Sequence, residues 1–209
     1  MISLTRFTLP LVVLAILCTV TAAPAATNLE KQVLGEINRA RTDPQAYAGV
    51  LREFRKLFHG KSFRLPGSST VVYTDEGVPA VDEAIHSLEK QRSLAPLVWS
   101  SGLAAAAAEL VIDSGATGDT GHTGRRSGGM KERIERHGVW TGSIAENISY
   151  GYDEARLVVM QLVVDDGVPE RGHRKNLFSK SFGTAGVACG SHRGYDSMCV
   201  IDFAGSFRE

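Results

Sequence analysis

Between Leu29 and Ala40, Leu29, Val33, Ile37 and Ala40 recur at the three-to-four-residue spacing of one helix face. Thr27 and Glu30 stand in the arrangement of a capping box, so the pattern predicts a first helix running to about Arg41. Asp43 before Pro44 marks a second start, because proline suits the first turn of a helix. Tyr47, Val50, Leu51, Phe54 and Phe58 supply its apolar stripe, and it is expected to end near His59 and Gly60. From Lys61 to Glu76 Gly, Pro and Ser break the pattern around the β-prone Val71, Val72 and Tyr73, a surface excursion that reads either as a lid or as a plain loop. A helix is predicted again over Pro79 to Arg92, with Val81, Ile85 and Leu88 inward, Asp82, Glu83 and Glu89 in solvent, and His86 as a surface histidine.

Trp99 and Ser100 lead into a predicted helix from Gly102 to about Asp113, whose alanines allow close packing, and Gly115 is expected to end it. Gly115 to Gly129 is too rich in glycine for a regular element, yet such a stretch can place one side chain, here His122. Met130 to His137 reads as a short helix stopped by Gly138, and the segment Ile144 to Ile148 follows. Asp153 is expected to cap a helix that carries Leu157, Val158, Leu162 and Val163 and ends at Asp165, Asp166 and Gly167. Arg171 to Leu177 forms a turn or short helix. Two β-rich runs then follow, Ala185 to Cys189 and Met198 to Phe203, and the Gly-Ser-His-Arg-Gly linker between them predicts an antiparallel hairpin. Helices first and a small antiparallel sheet last define an α+β class.

The N-terminus departs from this pattern. Arg6 precedes an unbroken apolar run from Leu9 to Val20, too short to cross a bilayer comfortably, and small residues follow at Ala22, Ala23, Ala25 and Ala26. Residues 1–25 therefore read as a signal peptide cleaved after Ala25, leaving 26–209 as one secreted or periplasmic domain with no transmembrane segment. Leu17 stands before Cys18, where a lipid-attachment site would want a small residue. Lys and Arg together number 23, as do Asp and Glu, and they are interspersed, so no basic face argues for nucleic acid and no basic tail for anionic membrane. Beyond the leader only Cys189 and Cys199 remain, an even number for an oxidising compartment, and they sit at facing ends of the hairpin arms. A disulfide is expected, two buried thiols being the alternative.

Two positions carry candidate chemistry: His122 in its glycine-rich loop, and His173 between Gly172 and Arg174, with Glu146, Asp165, Asp166 and Glu170 between them in sequence. The chain has no H-E-x-x-H run, no G-x-S-x-G elbow, no P-loop and no dinucleotide-binding glycine pattern before a helix. Two neutral imidazoles can occupy two positions of a tetrahedral zinc, with water in the others. Equally, the histidines and acids can satisfy one another's hydrogen bonds and brace a cleft.

Several local motifs are shared with one family: Glu36 to Arg41 with Asn38 and Arg39; Leu97, Val98 and Trp99 before the alanine-rich helix; and Thr120, Gly121, His122. They continue in Ala145 to Ile148 with Tyr150 and Gly151, in Gly172 to Leu177, and in the closing Gly186 and Val187. In these the chain resembles the CAP superfamily of cysteine-rich secretory, antigen 5 and pathogenesis-related 1 proteins, and is most similar to its secreted bacterial members. The resemblance implies a three-layer α-β-α sandwich with a central cleft where two histidines and two acids meet. It implies His122 and His173 as holders of zinc or another divalent cation, and Glu146 as an acid that orients an imidazole or acts as a base. For the second acid it implies Asp165, ahead of Asp166 or Glu170. Ala145 stands where the family commonly has glycine. The function implied is a binding module for an apolar or cell-envelope ligand. The alternatives are a zinc-assisted extracellular protease or esterase in the same cleft, and a purely structural interaction domain.

Overall fold

The computed structural model describes residues 28–209; the leader, its cleavage point and Thr27 of the capping box lie outside the described residues. Helix α1 (Asn28–Thr42) and helix α2 (Pro44–Arg55) form where the apolar spacing placed them, and Asp43 caps α2 by accepting the Ala46 N–H at 3.0 Å. Helix α2 stops at Arg55 rather than near His59. Phe58 leaves the helix as strand β1 (Phe58–His59), which pairs with β2 (Ser62–Phe63), itself paired with β3 (Val72–Tyr73). The cause is aromatic packing: Phe54, Phe58 and Phe63 meet with ring centroids 4.8–5.1 Å apart. The excursion is thus a small sheet folded back on α2.

Helix α3 (Val78–Lys90) buries Val81, Ile85 and Leu88 as expected, but its acids are not simply solvated. Asp82 and Glu89 pair with Arg55 and Arg52 of α2, and Glu83 bonds Arg171 and Arg174. His86 stays exposed, 3.7 Å from Glu89. Strand β4 (Val98–Trp99), too short to read in the sequence, is pinned by Asn38, whose amide accepts the Leu97 N–H at 2.7 Å and donates to the Leu97 carbonyl at 2.9 Å. Helix α4 (Ser101–Thr117) runs through Gly115 and ends at the left-handed Gly118. A side chain at Gly115 would strike the Ser191 carbonyl, so this glycine serves a close approach, not a helix end.

The glycine-rich loop contains a minimal ribbon after all, β5 (Thr123–Gly124) paired with β6 (Gly128–Gly129). Then come α5 (Met130–His137), β7 (Val139–Tyr150), α6 (Ala155–Val164), α7 (Gly172–Leu177), β8 (Thr184–His192) and β9 (Asp196–Arg208). Helix α6 starts after Glu154 with no side-chain cap, because Gly151 to Asp153 turns the chain away from β7 and the Gly151 N–H is held by the Ser197 carbonyl at 2.9 Å. Asp153 is therefore not its cap. Ala145, where the family commonly has glycine, lies in regular β7 pairing opposite Phe203 and needs no unusual backbone.

The main sheet has the order β4-β8-β9-β7, antiparallel except for the short parallel β4–β8 pair. Along β9 the side chains alternate. Cys199, Ile201 and Phe203 pack in one cluster with α1, α2, α3 and α6, while Met198 and Val200 meet α4, and Ala204 meets α4 and α5. Helices thus cover both faces of the sheet, which gives the α-β-α layering. Cys189 and Cys199 stand directly opposite each other on β8 and β9 and are bonded, with Cα atoms 4.1 Å apart. Closing so short a loop contributes about 2–3 kcal/mol on the chain-entropy estimate. Among the described residues no helix is long and apolar enough to cross a membrane.

Candidate functional site

Two histidines from distant parts of the chain face one cavity of about 390 Å³. His122 is delivered by the glycine-rich loop after α4, where Gly121 takes φ 97° and donates its N–H to the Tyr150 hydroxyl at 3.0 Å. His173 sits in the first turn of α7. Each imidazole is held at Nδ1 by a buried carboxylate: His122 by Glu146 at 2.7 Å, His173 by Asp165 at 2.6 Å. Both acid side chains are 1 % exposed, against 55 % for His122 and 28 % for His173. The acids are supports beneath the rings, and the rings are the accessible groups.

The three candidate acids near the end of α6 separate by geometry. Asp165 closes α6 in the left-handed conformation, φ 56°, which aspartate tolerates better than most residues. Its carboxylate turns back onto α7, accepting the backbone N–H of His173 at 2.9 Å and of Arg174 at 3.3 Å besides the ring. Asp166 points the other way and accepts the N–H groups of Asp75, Glu76 and Gly77 at 2.6–3.0 Å, ahead of α3. Glu170 is exposed, 3.6 Å from Lys175. Asp166 therefore ties down the end of the excursion, and only Asp165 meets His173.

That tie is reinforced by Arg171, whose guanidinium grips both oxygens of Glu76 at 2.6 and 2.7 Å and holds its carboxyl down to about 2. The excursion is thereby fixed against the α6–α7 turn and becomes a wall of the cavity through Phe63, Val72 and Tyr73. Phe58, Tyr152, Leu157 and Met160 continue the apolar lining. Its polar lining includes the two imidazoles, Tyr150, Gln161, Asp75, Asp165 and Asp166.

Beneath His122 lies a charged core that sequence reading missed. Arg133 of α5 is fully buried and bonds the second oxygen of Glu146, the His122 carbonyl at 3.2 Å and the Gly128 carbonyl at 2.6 Å. Opposite Glu146 in the β7–β9 register is Asp202, also fully buried, with no hydrogen-bond partner for either oxygen. Burial, with the Glu146 charge beside it, pushes the Asp202 carboxyl well above the usual carboxylate range. Two carboxylates can only accept, so their contact becomes a hydrogen bond when Asp202 carries a proton. The one sequence hint was position: Asp202 is an acid within the otherwise apolar run Met198–Ala204.

The sign of the consequence follows. A folded carboxyl that holds its proton above the pH at which the unfolded chain releases it, about 3.9, loses the native state stability as pH rises beyond that point. Asp202→Asn keeps an N–H donor toward Glu146 and removes the penalty. The variant is expected to match the parent near pH 3 and exceed it at pH 7 by on the order of 1 kcal/mol or more, read as urea midpoints at the two pH values.

As a metal site the cleft is incomplete. Both oxygens of Glu146 and both of Asp165 are engaged by the protein, so the donors left are Nε2 of His122 and of His173. Among the described residues no group of three or more His, Cys, Asp or Glu is placed to hold a metal ion. A catalytic zinc takes three protein ligands, and this donor set does not fit one.

The chain matches the model of the family described as "CAP: Cysteine-rich secretory protein family" over residues 34–203, and it belongs to that family. Among solved structures it is similar to an extracellular protein containing an SCP domain from Bacillus anthracis, at 23 % identity and TM-score 0.43, over 61 % of this chain and 37 % of that one. It is also similar to an outer surface protein of Borrelia burgdorferi, at 20 % identity and TM-score 0.45, over 53 % of this chain and 78 % of that one. The chain thus spans little more than a third of the Bacillus protein it matches. No curated protein matched.

Proposed function

We propose that this protein is an exported binding module that takes an apolar or cell-envelope ligand into the cavity between the excursion and α6. The observation that carries this reading is the cavity itself, about 390 Å³, lined by aromatic and aliphatic side chains with a few polar groups among them. Export rests on the leader-like residues 1–25 and the disulfide. Hydrolysis has less support. Glu146, the intended base, is buried, shared between His122 and Arg133, and has no free oxygen with which to take a proton from water. A divalent cation would rest on two imidazole nitrogens and water alone, a weak attachment.

The test uses the secreted chain. It is expected to bind a neutral solvatochromic dye saturably, and Leu157→Glu, which puts a charge in the apolar wall, is expected to weaken that binding at least about tenfold. Mass spectrometry of protein purified from its own host is expected to show a co-purifying apolar molecule. If the parent chain binds no dye and carries nothing apolar, the reading fails.

A further inference from the structure

The disulfide of the β8–β9 hairpin is not sealed in the core. Cys199 is 1 % exposed, but Cys189 opposite it is only half-buried. Both line an open depression of about 310 Å³, whose other walls are Leu29 at the start of α1, Tyr152, Asp153 and residues near the hairpin tip. Among the described lining residues it shares only Tyr152 with the histidine cavity. The sulfurs are thus within reach of a small molecule, and there is room beside them for a group left bonded to Cys189. The depression is also acidic. Asp153 and Asp196 line it, and among the described residues no lysine or arginine does. The Cys189 N–H turns to a third carboxylate, that of Glu30, at 3.1 Å. An anion approaching the sulfurs is repelled by these groups and a cation is drawn in, each pair of charges contributing about a few tenths of a kcal/mol in water.

From access and charge together, we infer that Cys189 is a site of thiol–disulfide exchange in the folded protein, and that it takes small cationic thiols in preference to anionic ones. The thiol loses its proton to solvent, and its thiolate sulfur attacks Sγ of Cys189. A new S–S bond forms there as the Cys189–Cys199 bond breaks. The electron pair leaves on Sγ of Cys199, which takes a proton back from water. The products are a mixed disulfide on Cys189 and a thiol at Cys199, and the incoming thiol is the only reductant required.

The two sulfurs are not equivalent in this step. Cys189 is the one attacked because its side of the bond is the open one, whereas Cys199 packs with Ile201 and Phe203 and stays in the core as a small apolar side chain once released. The hairpin does not depend on the bond alone. Strands β8 and β9 are paired without interruption from Thr184 opposite Ala204 to His192 opposite Asp196, so the chain keeps its fold while the mixed disulfide is present.

The experiment treats the folded secreted chain with cysteamine or with mercaptoacetate, a cationic and an anionic thiol of similar size, and traps the first adduct with acid. Rates are compared at equal thiolate concentration and divided by the rate of each thiol with neutral hydroxyethyl disulfide, which removes their intrinsic nucleophilicity. On that scale cysteamine is expected to add at least about tenfold faster than mercaptoacetate. Peptide mass spectrometry is expected to place the adduct on Cys189, with the near-ultraviolet circular dichroism retained and no acceleration by urea below the unfolding transition. In the double variant Asp153→Asn with Asp196→Asn the ratio is expected to fall below about threefold. Asparagine suits the left-handed backbone at position 196. Exchange that occurs only as urea unfolds the chain, or an adduct on Cys199, overturns the site. Equal rates for the two thiols on the parent chain, or a ratio that the double variant leaves unchanged, overturns the charge preference.

Discussion

Arg133→Met is expected to lower stability by about 3–5 kcal/mol, read as a shift of the urea midpoint at neutral pH, because it strands a carboxylate that water cannot reach. Arg133 is fully buried, and its guanidinium satisfies Glu146 and the carbonyls of His122 and Gly128 together. Methionine fills much of the same volume, so the loss is electrostatic rather than a cavity. This is checked by a second variant: Arg133→Met with Glu146→Gln removes the stranded charge and is expected to be more stable than Arg133→Met alone. A double variant that loses the sum of the two single effects would refute the ion-pair explanation. Since the same guanidinium holds the His122 carbonyl, the single variant is also expected to weaken dye binding at the proposed ligand cavity.

Gly186→Val should be comparably damaging, on the order of 3 kcal/mol or more, for a purely steric reason. A Cβ at position 186 would overlap the backbone of Leu103 and Ala104, where α4 lies against β8. Backbone cannot rotate away as a flexible side chain can, so the helix would have to lift off the sheet and take Leu103, Ala106 and Leu110 out of the core. The expected readout is a lowered urea midpoint with a disturbed near-ultraviolet circular dichroism spectrum, the single disulfide remaining intact. Gly35, with nothing within 4 Å of a built Cβ, is the control at which alanine is expected to be harmless. An undiminished midpoint for Gly186→Val would mean that α4 does not sit where the structure puts it.

Arg133 drew no attention in the sequence, and Gly186 stood there only as part of a shared motif, without the contact that makes it matter. Local chemistry did speak for the helices: the apolar spacing in α1 and α3, the Asp43–Pro44 start of α2 and the Gly138 stop after α5 all act within a few residues. The β8–β9 hairpin and its disulfide were legible for the same reason, since linker and cysteines lie close together in sequence. Where local rules met tertiary contact they lost. Gly115 has the look of a helix end, yet α4 passes through it because the Ser191 carbonyl occupies the space where a side chain would stand. Phe58 continues the stripe of α2, yet it turns away to pack with Phe54 and Phe63.

The sequence by itself determined the α+β class, the family through its separate local motifs, and His122, Glu146 and His173 as residues to watch, but not the order of elements: β7 lies between α5 and α6 and joins the sheet beside β9, where the helices-first reading had placed no strand. Only the tertiary structure decided which acid meets His173, because Asp165, Asp166 and Glu170 lie within a few residues and the left-handed turn at Asp165 aims them in different directions. It alone showed that Arg133 and Asp202 lie under Glu146, and that the excursion forms a wall of the cavity, held by an Arg171–Glu76 bond between residues 95 apart in sequence. Periodicity and turn chemistry are short-range and leave a mark on neighbouring residues. The partner of a buried charge is set by how distant segments return to one another, and a single sequence carries no local trace of that.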